Sequence, residues 1–435
     1  MRFALFILLN ATLFIRPAEI VPSLEGLQIY YVMILACLIV YLPGILDQFS
    51  AASLTRQPIS LFVLGLLATV GLSQLARLDM GECVRSSLDF VKIVAYYLVL
   101  VACLDTPARL RAFLTWMVVI IVGLTVVALL HYHEVILVAS IQDVLDSEVD
   151  AKTSQQFSLK RLASTGIYGD PNDLCLILLV GMVISLFRFN QPDLGLLRFV
   201  WVGPLVLFGY ALSLTHSRGG FLGLLAGVTT LLWARFGIKK MIPLAALALP
   251  IIFVLFAGRQ TKLSASEDTG QDRVQLWSRG LELFRESPVF GIGSGRYADE
   301  AGLVAHNTYI NTFTELGILG GSFFLGACYF AFHSIHGLGQ FRDHVPDTEL
   351  RRLRPYLLAM LATYGAGMIS LSRGYVIPTY MMLGLSTAYL QVVGSVSDLI
   401  PPRLDAPFLR RLLLVNVGFL VGLYAFIRIF ARFGL

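Results

Sequence analysis

Apolar runs long enough to cross a hydrocarbon core recur from one end of this 435-residue chain to the other. A bilayer core about 30 Å thick takes roughly 20 apolar residues per helical span. Backbone N–H and C=O groups find no water there and must pair within the segment, so such runs become α-helices. Spans are expected at residues 2–15, 27–46, 59–76, 86–103, 112–130, 172–189, 197–214, 219–235, 240–257, 308–333, 355–371, 374–393 and 410–427. The expected fold is all-α, a polytopic transmembrane helix bundle of about 12–14 spans, forming one transmembrane domain over residues 1–435. Composition excludes the main competitor, a pair of soluble domains. Only 14% of residues are charged and mean hydropathy is +0.75, against roughly 25% charged in soluble domains.

Residues 3–15 have the look of a signal-peptide core. Arg16-Pro17 follows instead of a small-x-small cleavage site, so a first short span is expected. The cysteines Cys37, Cys83, Cys103, Cys175 and Cys328 lie in or beside apolar runs with no CxxC pairing. They read as small buried hydrophobes, neither a disulfide framework nor a zinc site. A net charge of +5 gives no reason to expect nucleic acid. In a membrane protein it reads as an excess of Lys/Arg in cytoplasmic loops.

Placing the N-terminus in the cytoplasm turns the connections 47–57, 104–111, 188–198, 235–240, 334–354 and 394–411 inward. These hold 15 Lys/Arg, against 5 in the short outward connections 16–26, 77–85, 215–218 and 372–373. That bias follows the positive-inside rule. It puts the 131–171 loop, the Arg218 turn, the long 258–306 loop and the Arg373 turn on the outer, periplasmic face. The largest non-membrane segments and the most unusual polar motifs thus share one side.

Four motifs there carry chemistry. Thr215-His216-Ser217-Arg218-Gly219-Gly220 forms a tight connection between two spans. An Arg at the membrane edge either grips an anion with its planar fork or snorkels to water as an anchor. Gly219, Gly223 and Gly227 recur every four residues, which lets a neighbouring helix approach closely. Residues 272–287 pattern as an amphipathic helix, with Val274, Trp277, Leu281 and Phe284 on one face and Trp277 expected at headgroup level. Arg273 and Arg285 flank that face and can reach a membrane-bound ligand or anchor headgroups, while Arg279 points away. The following Pro288-Val289-Phe290-Gly291-Ile292-Gly293-Ser294-Gly295-Arg296 is no nucleotide loop, since no strand precedes it and no βαβ unit follows. It reads as a flexible turn with Arg296 as a phosphate candidate.

The third motif, beginning His306-Asn307-Thr308, opens a long apolar helix. Asn307, Asn311 and Glu315 make a polar stripe that must face protein or water, not lipid. His306, with an unperturbed pKa of about 6.5, suits a general base near neutral pH. The alternative is a capping His above a structural stripe that glues helices. In the fourth motif, Lys160 to Asp173, Asp170 is an N-cap with Pro171 at the first helical position. Arg161 and Asn172 remain as candidate ligand contacts. Asp89 and Lys92, three residues apart, read as an internal ion pair. Neither an Asp-x-Asp pair nor His/Cys spacing points to a metal, and no cofactor motif appears. Phosphate chemistry here falls to Arg and Lys.

Taken in order, these motifs resemble the O-antigen ligase/polymerase superfamily of bacterial inner membranes. The likeness rests on a Ser-Arg-Gly turn between spans, a long loop with an Arg…Trp helix, Pro…Gly-x-Gly, and His-Asn…Glu-Leu-Gly, most strongly over about residues 160–320. The resemblance implies a glycosyltransferase with a periplasmic active site. It would move a glycan from an undecaprenyl-diphosphate carrier to a sugar hydroxyl by metal-independent, inverting transfer. The acceptor would be lipid A-core in a ligase or a lipid-linked repeat in a polymerase; the superfamily also includes enzymes that glycosylate proteins. Carried over residue by residue, Arg218 and Arg273 match donor-diphosphate positions and His306 the base. Arg161, Arg285, Arg296, Asn307 and Glu315 are added from their places in the motifs as substrate-binding candidates. Arg218, Arg273 and His306 are expected to meet in one periplasm-facing cleft. A lipid-linked sugar transporter is the rival of another class. Transporters place essential charges at the midplane in broken helices related by inverted repeats, whereas these charges sit at the edge and no repeat is evident.

Overall fold

The computed structural model of the chain describes residues 1–149, 156–256, 268–397 and 404–430. Its helices in order are α1 (Arg2–Ile15), α2 (Pro17–Ile20), α3 (Ile29–Gln48), α4 (Ala51–Arg56), α5 (Pro58–Leu75), α6 (Met80–Cys103), α7 (Pro107–Tyr132), α8 (Pro171–Phe189), α9 (Val202–Thr215), α10 (Arg218–Phe236), α11 (Ile238–Leu255), α12 (Asp268–Glu286), α13 (Tyr297–Ala301), α14 (Thr308–Gly337), α15 (Thr348–Gly367), α16 (Ile377–Val396) and α17 (Ala406–Phe430). Among the described residues, 10 helices are long and apolar enough to cross a membrane. The other three expected spans are helical as α11, α15 and α16. α15 opens with Glu349, Arg351, Arg352 and Arg354, and α16 spaces Thr, Ser and Gln along its length, which lowers their hydropathy. The expected end of the 240–257 span, and residues 258–267 of the long loop, lie outside the described residues.

Packing divides the chain into two compact units. Unit 1 comprises Met1–Val40, Thr106–Lys262 and Thr348–Gly367; unit 2 comprises Tyr41–Asp105, Leu263–Asp347 and Met368–Leu435. In unit 1, α8 packs on α7, α9, α10 and α15, and α10 lies along α15. The glycine spacing explains that last contact. A Cβ on Gly223 would come within 3.1 Å of the Thr363 carbonyl, and one on Gly227 would land on the Thr363 hydroxyl. In unit 2, α14 is the central element, packed against α5, α12, α16 and α17, while α6 joins α5 to α16. Asp89 and Lys92 pair at 2.7 Å on α6, as their spacing predicts. Helices α3, α9 and α17 each leave several large apolar side chains exposed, Ile39 at 75% and Val206 at 66% among them. That is the pattern of a surface whose solvent is lipid.

One element was not expected. Within the 131–171 loop, β1 (Val144–Val149) and β2 (Gln156–Arg161) form an antiparallel hairpin in unit 1, with Val144 opposite Arg161. The Asp143 carboxylate accepts from Lys160 at 3.0 Å beside β1, and this hydrogen bond holds the Lys160 ammonium above its ordinary range. No disulfide occurs among the described residues.

Candidate active site

In unit 1 the site is built around the start of α10. His216 closes α9 with φ 48, a left-handed conformation that costs an L-residue roughly 1–2 kcal/mol. That reversal lets Ser217 act as N-cap, its Oγ accepting from the Gly220 N–H at 3.0 Å. Arg218 then becomes the first residue of the helix, partly exposed. The N-terminal end of a helix is its positive end, so a guanidinium placed there is unfavourable unless an anion joins it. The same end offers backbone N–H groups to an anion. Both facts make the Arg218 turn chemically suited to phosphate.

A hydrogen-bond network fixes that turn. The Asn172 Oδ1 atom accepts from Ser217 Oγ at 2.7 Å and from Arg161 Nη2 at 3.1 Å. Asn172 itself is oriented by Asp170, whose Oδ1 accepts both the Asn172 backbone N–H (2.8 Å) and Nδ2 (2.9 Å). Asp170 is thus the α8 N-cap that the sequence predicts. Arg161 also donates through Nε to the Thr215 carbonyl at 2.8 Å and through Nη1 to Asp146 at 3.2 Å. Its side chain is only 10% exposed. Arg161 therefore braces the turn from β2. Replacing Asn172 by Ala strands Arg161 and Ser217 donors at about 1–3 kcal/mol each. The expected result is a clearly lower thermal unfolding midpoint in detergent; an unchanged midpoint would show that the network does not hold the turn.

In unit 2 a separate group of candidate residues is built around the start of α14. His306 also has φ 48 and also precedes an N-cap: Asn307 Oδ1 accepts from the Tyr309 and Ile310 N–H groups at 3.1 Å each. The two histidines thus stand in the same local geometry. Asn307 and Asn311 are 6% exposed and Glu315 is 2% exposed, so the stripe faces protein, as its polarity requires. Glu315 Oε1 accepts the Tyr297 N–H at 3.0 Å, pinning the loop that carries Arg296. Gly317, at φ 65, breaks α14. The 288–293 segment docks into that break, with Ile292 N on the Thr314 carbonyl, Gly293 N on the Glu315 carbonyl (both 3.0 Å) and Ile318 N on the Pro288 carbonyl (2.8 Å). What the sequence presents as a flexible turn is a fixed one.

α12 spans the expected amphipathic helix, with Val274, Gly280 and Leu283 buried. Trp277, expected at headgroup level, is taken up by protein: its Nε1 donates to the Ala305 carbonyl at 2.9 Å and its ring meets Phe426 at 5.9 Å. Arg273 lies half-buried, Arg285 is exposed, and Arg279 is exposed and paired with Glu282 at 3.0 Å. The Tyr297 phenol donates to the Leu276 carbonyl at 2.7 Å; burial, with Glu315 nearby, pushes its pKa up and keeps it a donor.

Two further residues, not among the site candidates expected from sequence, adjoin these segments. Asp79, the N-cap of α6, pairs with Arg296, so that guanidinium is already engaged. No local pattern links positions so far apart. Arg373 sits beside the His306 segment: its N–H donates to Thr308 Oγ1 at 2.9 Å, and that hydroxyl donates to the Leu371 carbonyl at 2.5 Å. Ser372-Arg373-Gly374 echoes Ser217-Arg218-Gly219, but three residues are too few to mark a duplication. Arg161 and Arg218 thus belong to one cluster in unit 1, and Arg273, Arg285, Arg296, His306, Asn307 and Glu315 to unit 2. Among the described residues no group of His, Cys, Asp and Glu has the arrangement of a metal site.

The fold defines a many-pass helical membrane protein. Residues 203–325 match the family described as O-antigen ligase. This match supports the O-antigen ligase/polymerase superfamily that the motifs resemble, and with it a glycosyltransferase-type enzyme of ligase or polymerase kind. The matched stretch encloses Arg218, Arg273, Arg285, Arg296, His306, Asn307 and Glu315, and leaves Arg161 outside. No curated protein matches the chain.

Proposed function

We propose that the protein is an O-antigen ligase of the bacterial inner membrane, moving a glycan from an undecaprenyl-diphosphate carrier to a sugar hydroxyl of lipid A-core at the periplasmic face. The observation that carries this reading is the family match over 203–325, which contains the Arg218 turn, Arg273 and His306 in one stretch. The leaving group is a diphosphate, already a good one, and requires charge neutralisation more than a proton. Arg218 and Arg273 supply preorganised positive charge where negative charge develops, and a bidentate Arg–phosphate contact orients the donor. His306 takes the proton of the acceptor hydroxyl as its oxygen attacks the anomeric carbon on the face opposite the diphosphate. The glycosidic C–O bond to the carrier breaks, and configuration inverts.

Arg161, Arg285, Arg296, Asn307 and Glu315 are secondary in this reading. Arg285 offers an exposed contact for the donor's phosphates. Arg161, Arg296, Asn307 and Glu315 hold the two segments that carry Arg218 and His306. The second reading, a polymerase, uses the same donor with a lipid-linked repeat as acceptor; the family match favours it equally, because both kinds share the superfamily. Purified protein given lipid-diphosphate glycan and either lipid A-core or a second lipid-linked glycan separates the two. Transfer is expected to lipid A-core, and to survive EDTA undiminished. Product only with the lipid-linked acceptor would make the protein a polymerase, and loss with chelator would overturn the metal-independent mechanism.

A further inference from the structure

At the other end of unit 1 lies a polar cavity that the glycosyl-transfer reading does not use. The Arg218 turn is tied to the first residues of α8, whereas this cavity of about 310 Å³ surrounds the end of α8 and the starts of α7 and α15. The 19 residues of α8 separate the two by about 28 Å at 1.5 Å per residue, which is one hydrocarbon thickness. Arg111, Thr115, Arg188, Gln191, Asp193 and Glu349 contribute to its wall. All but Thr115, which lies one turn further along α7, come from connections 104–111 and 188–198 and from the edge of 334–354, which the Lys/Arg bias assigns to the cytoplasmic side.

The wall is rich in donors. Glu349 is shared by two guanidiniums, at 3.2 Å from Arg111 Nε and 3.3 Å from Arg188 Nη1. Asp193 is turned to Arg352 at 3.3 Å, and the Gln191 carbonyl oxygen faces the same Arg352 group at 3.5 Å. Arg188 Nε and Gln191 Nε2 are buried donors without an acceptor among the described residues, and Gln191 is only 2% exposed. Among the described residues, no buried side-chain acceptor in this wall is similarly left over. The Arg188 guanidinium is further held over the Trp201 ring at 5.4 Å. A buried donor left unpaired costs about 1–3 kcal/mol, so this wall favours a ligand that brings acceptors only. A phosphate does this, and planar guanidiniums match it. The volume stands at the small end of ligand pockets, roughly 300–1,000 Å³.

We propose that this cavity binds the phosphate group of a small phosphate-bearing ligand through Arg188, Arg111 and Gln191, on the membrane face opposite the Arg218 turn. Two sources share that chemistry, a lipid headgroup and a soluble phosphate. The test uses the full chain purified in a maltoside detergent, which carries no phosphate. Its thermal unfolding midpoint is followed against inorganic phosphate, dioctanoyl phosphatidylglycerol and uncharged dioctanoylglycerol. A saturable rise with the phosphatidylglycerol alone supports a headgroup site, and a rise with both phosphate probes supports a site for the phosphate group itself. R188Q is expected to weaken binding roughly tenfold or more, the scale of one charge-assisted hydrogen bond. E349Q removes the carboxylate that competes for the guanidiniums and is expected to strengthen binding, an effect no merely structural ion pair would give. The proposal is overturned if neither phosphate probe raises the midpoint at millimolar concentration, or if dioctanoylglycerol acts equally. It is also overturned if R188Q responds as the wild type does, or, where R188Q does not fold, if E349Q binds no more tightly.

Discussion

Replacing Arg218 by Ala is expected to lower glycan transfer by about 10²–10³-fold, the usual cost of losing one preorganised donor to a developing negative charge, while the protein still inserts and purifies. The helix start at Arg218 is held by the Ser217 cap and the Asn172 network, neither of which uses the Arg218 side chain. The substitution therefore removes charge while leaving these capping bonds in place. R218K keeps a charge but loses the planar fork, so partial recovery at best is expected. The effect should fall on donor dependence, with KM for the lipid-diphosphate rising as kcat falls. His306 makes the complementary case. A placed base contributes about 10²–10⁴-fold, and H306N keeps a residue that tolerates the left-handed backbone at φ 48. H306N should lower kcat with donor KM little changed. A lipopolysaccharide ladder undiminished in either variant would remove that residue from the mechanism.

Much of this was legible in the chain because the cues are local. Span positions follow from apolar runs, the α8 start from Asp170-Pro171, the Asp89–Lys92 pair from its spacing, and the α10–α15 approach from Gly223 and Gly227. The buried stripe Asn307, Asn311, Glu315 follows from the requirement that polar groups in a span find protein or water. What was not legible depends on partners that no helical or strand period brings together. Arg296 reads as a phosphate ligand until Asp79, 217 residues distant, appears beside it. Arg161 reads the same way until Thr215, Asn172 and Asp146 claim its donors. Strands β1 and β2 are short and their alternation is weak beside the apolar runs on either side, so period alone did not separate them from a loop.

The break in α14 is the deepest case of this kind, and it gives the largest expected effect on stability. The apolar pattern runs through Gly317 without interruption, yet the residue has φ 65 and ψ −167. That region is essentially reserved for glycine, and other residues there cost about 1–3 kcal/mol. A Cβ at Gly317 would also fall on the Val289 carbonyl, and one at Gly291, itself at φ 75, would fall on the Glu315 backbone. The two glycines face each other across the break, so each obstruction is main chain and cannot rotate away. Overpacking of this kind adds about 1–3 kcal/mol more. The combined cost of G317A is comparable with the whole margin of a folded domain at its lower end, about 5 kcal/mol. Little monodisperse protein is expected, and what survives should unfold well below the wild type, with G291A close behind. Gly418 on α17 provides the control: nothing lies within 4 Å of its Cβ position, and Ala there should be neutral or slightly stabilising by helix propensity. If G317A melts with G418A, α14 is unbroken at that point. The 288–293 segment then does not dock there, and Glu315 no longer ties Tyr297 to the helix that begins just after His306.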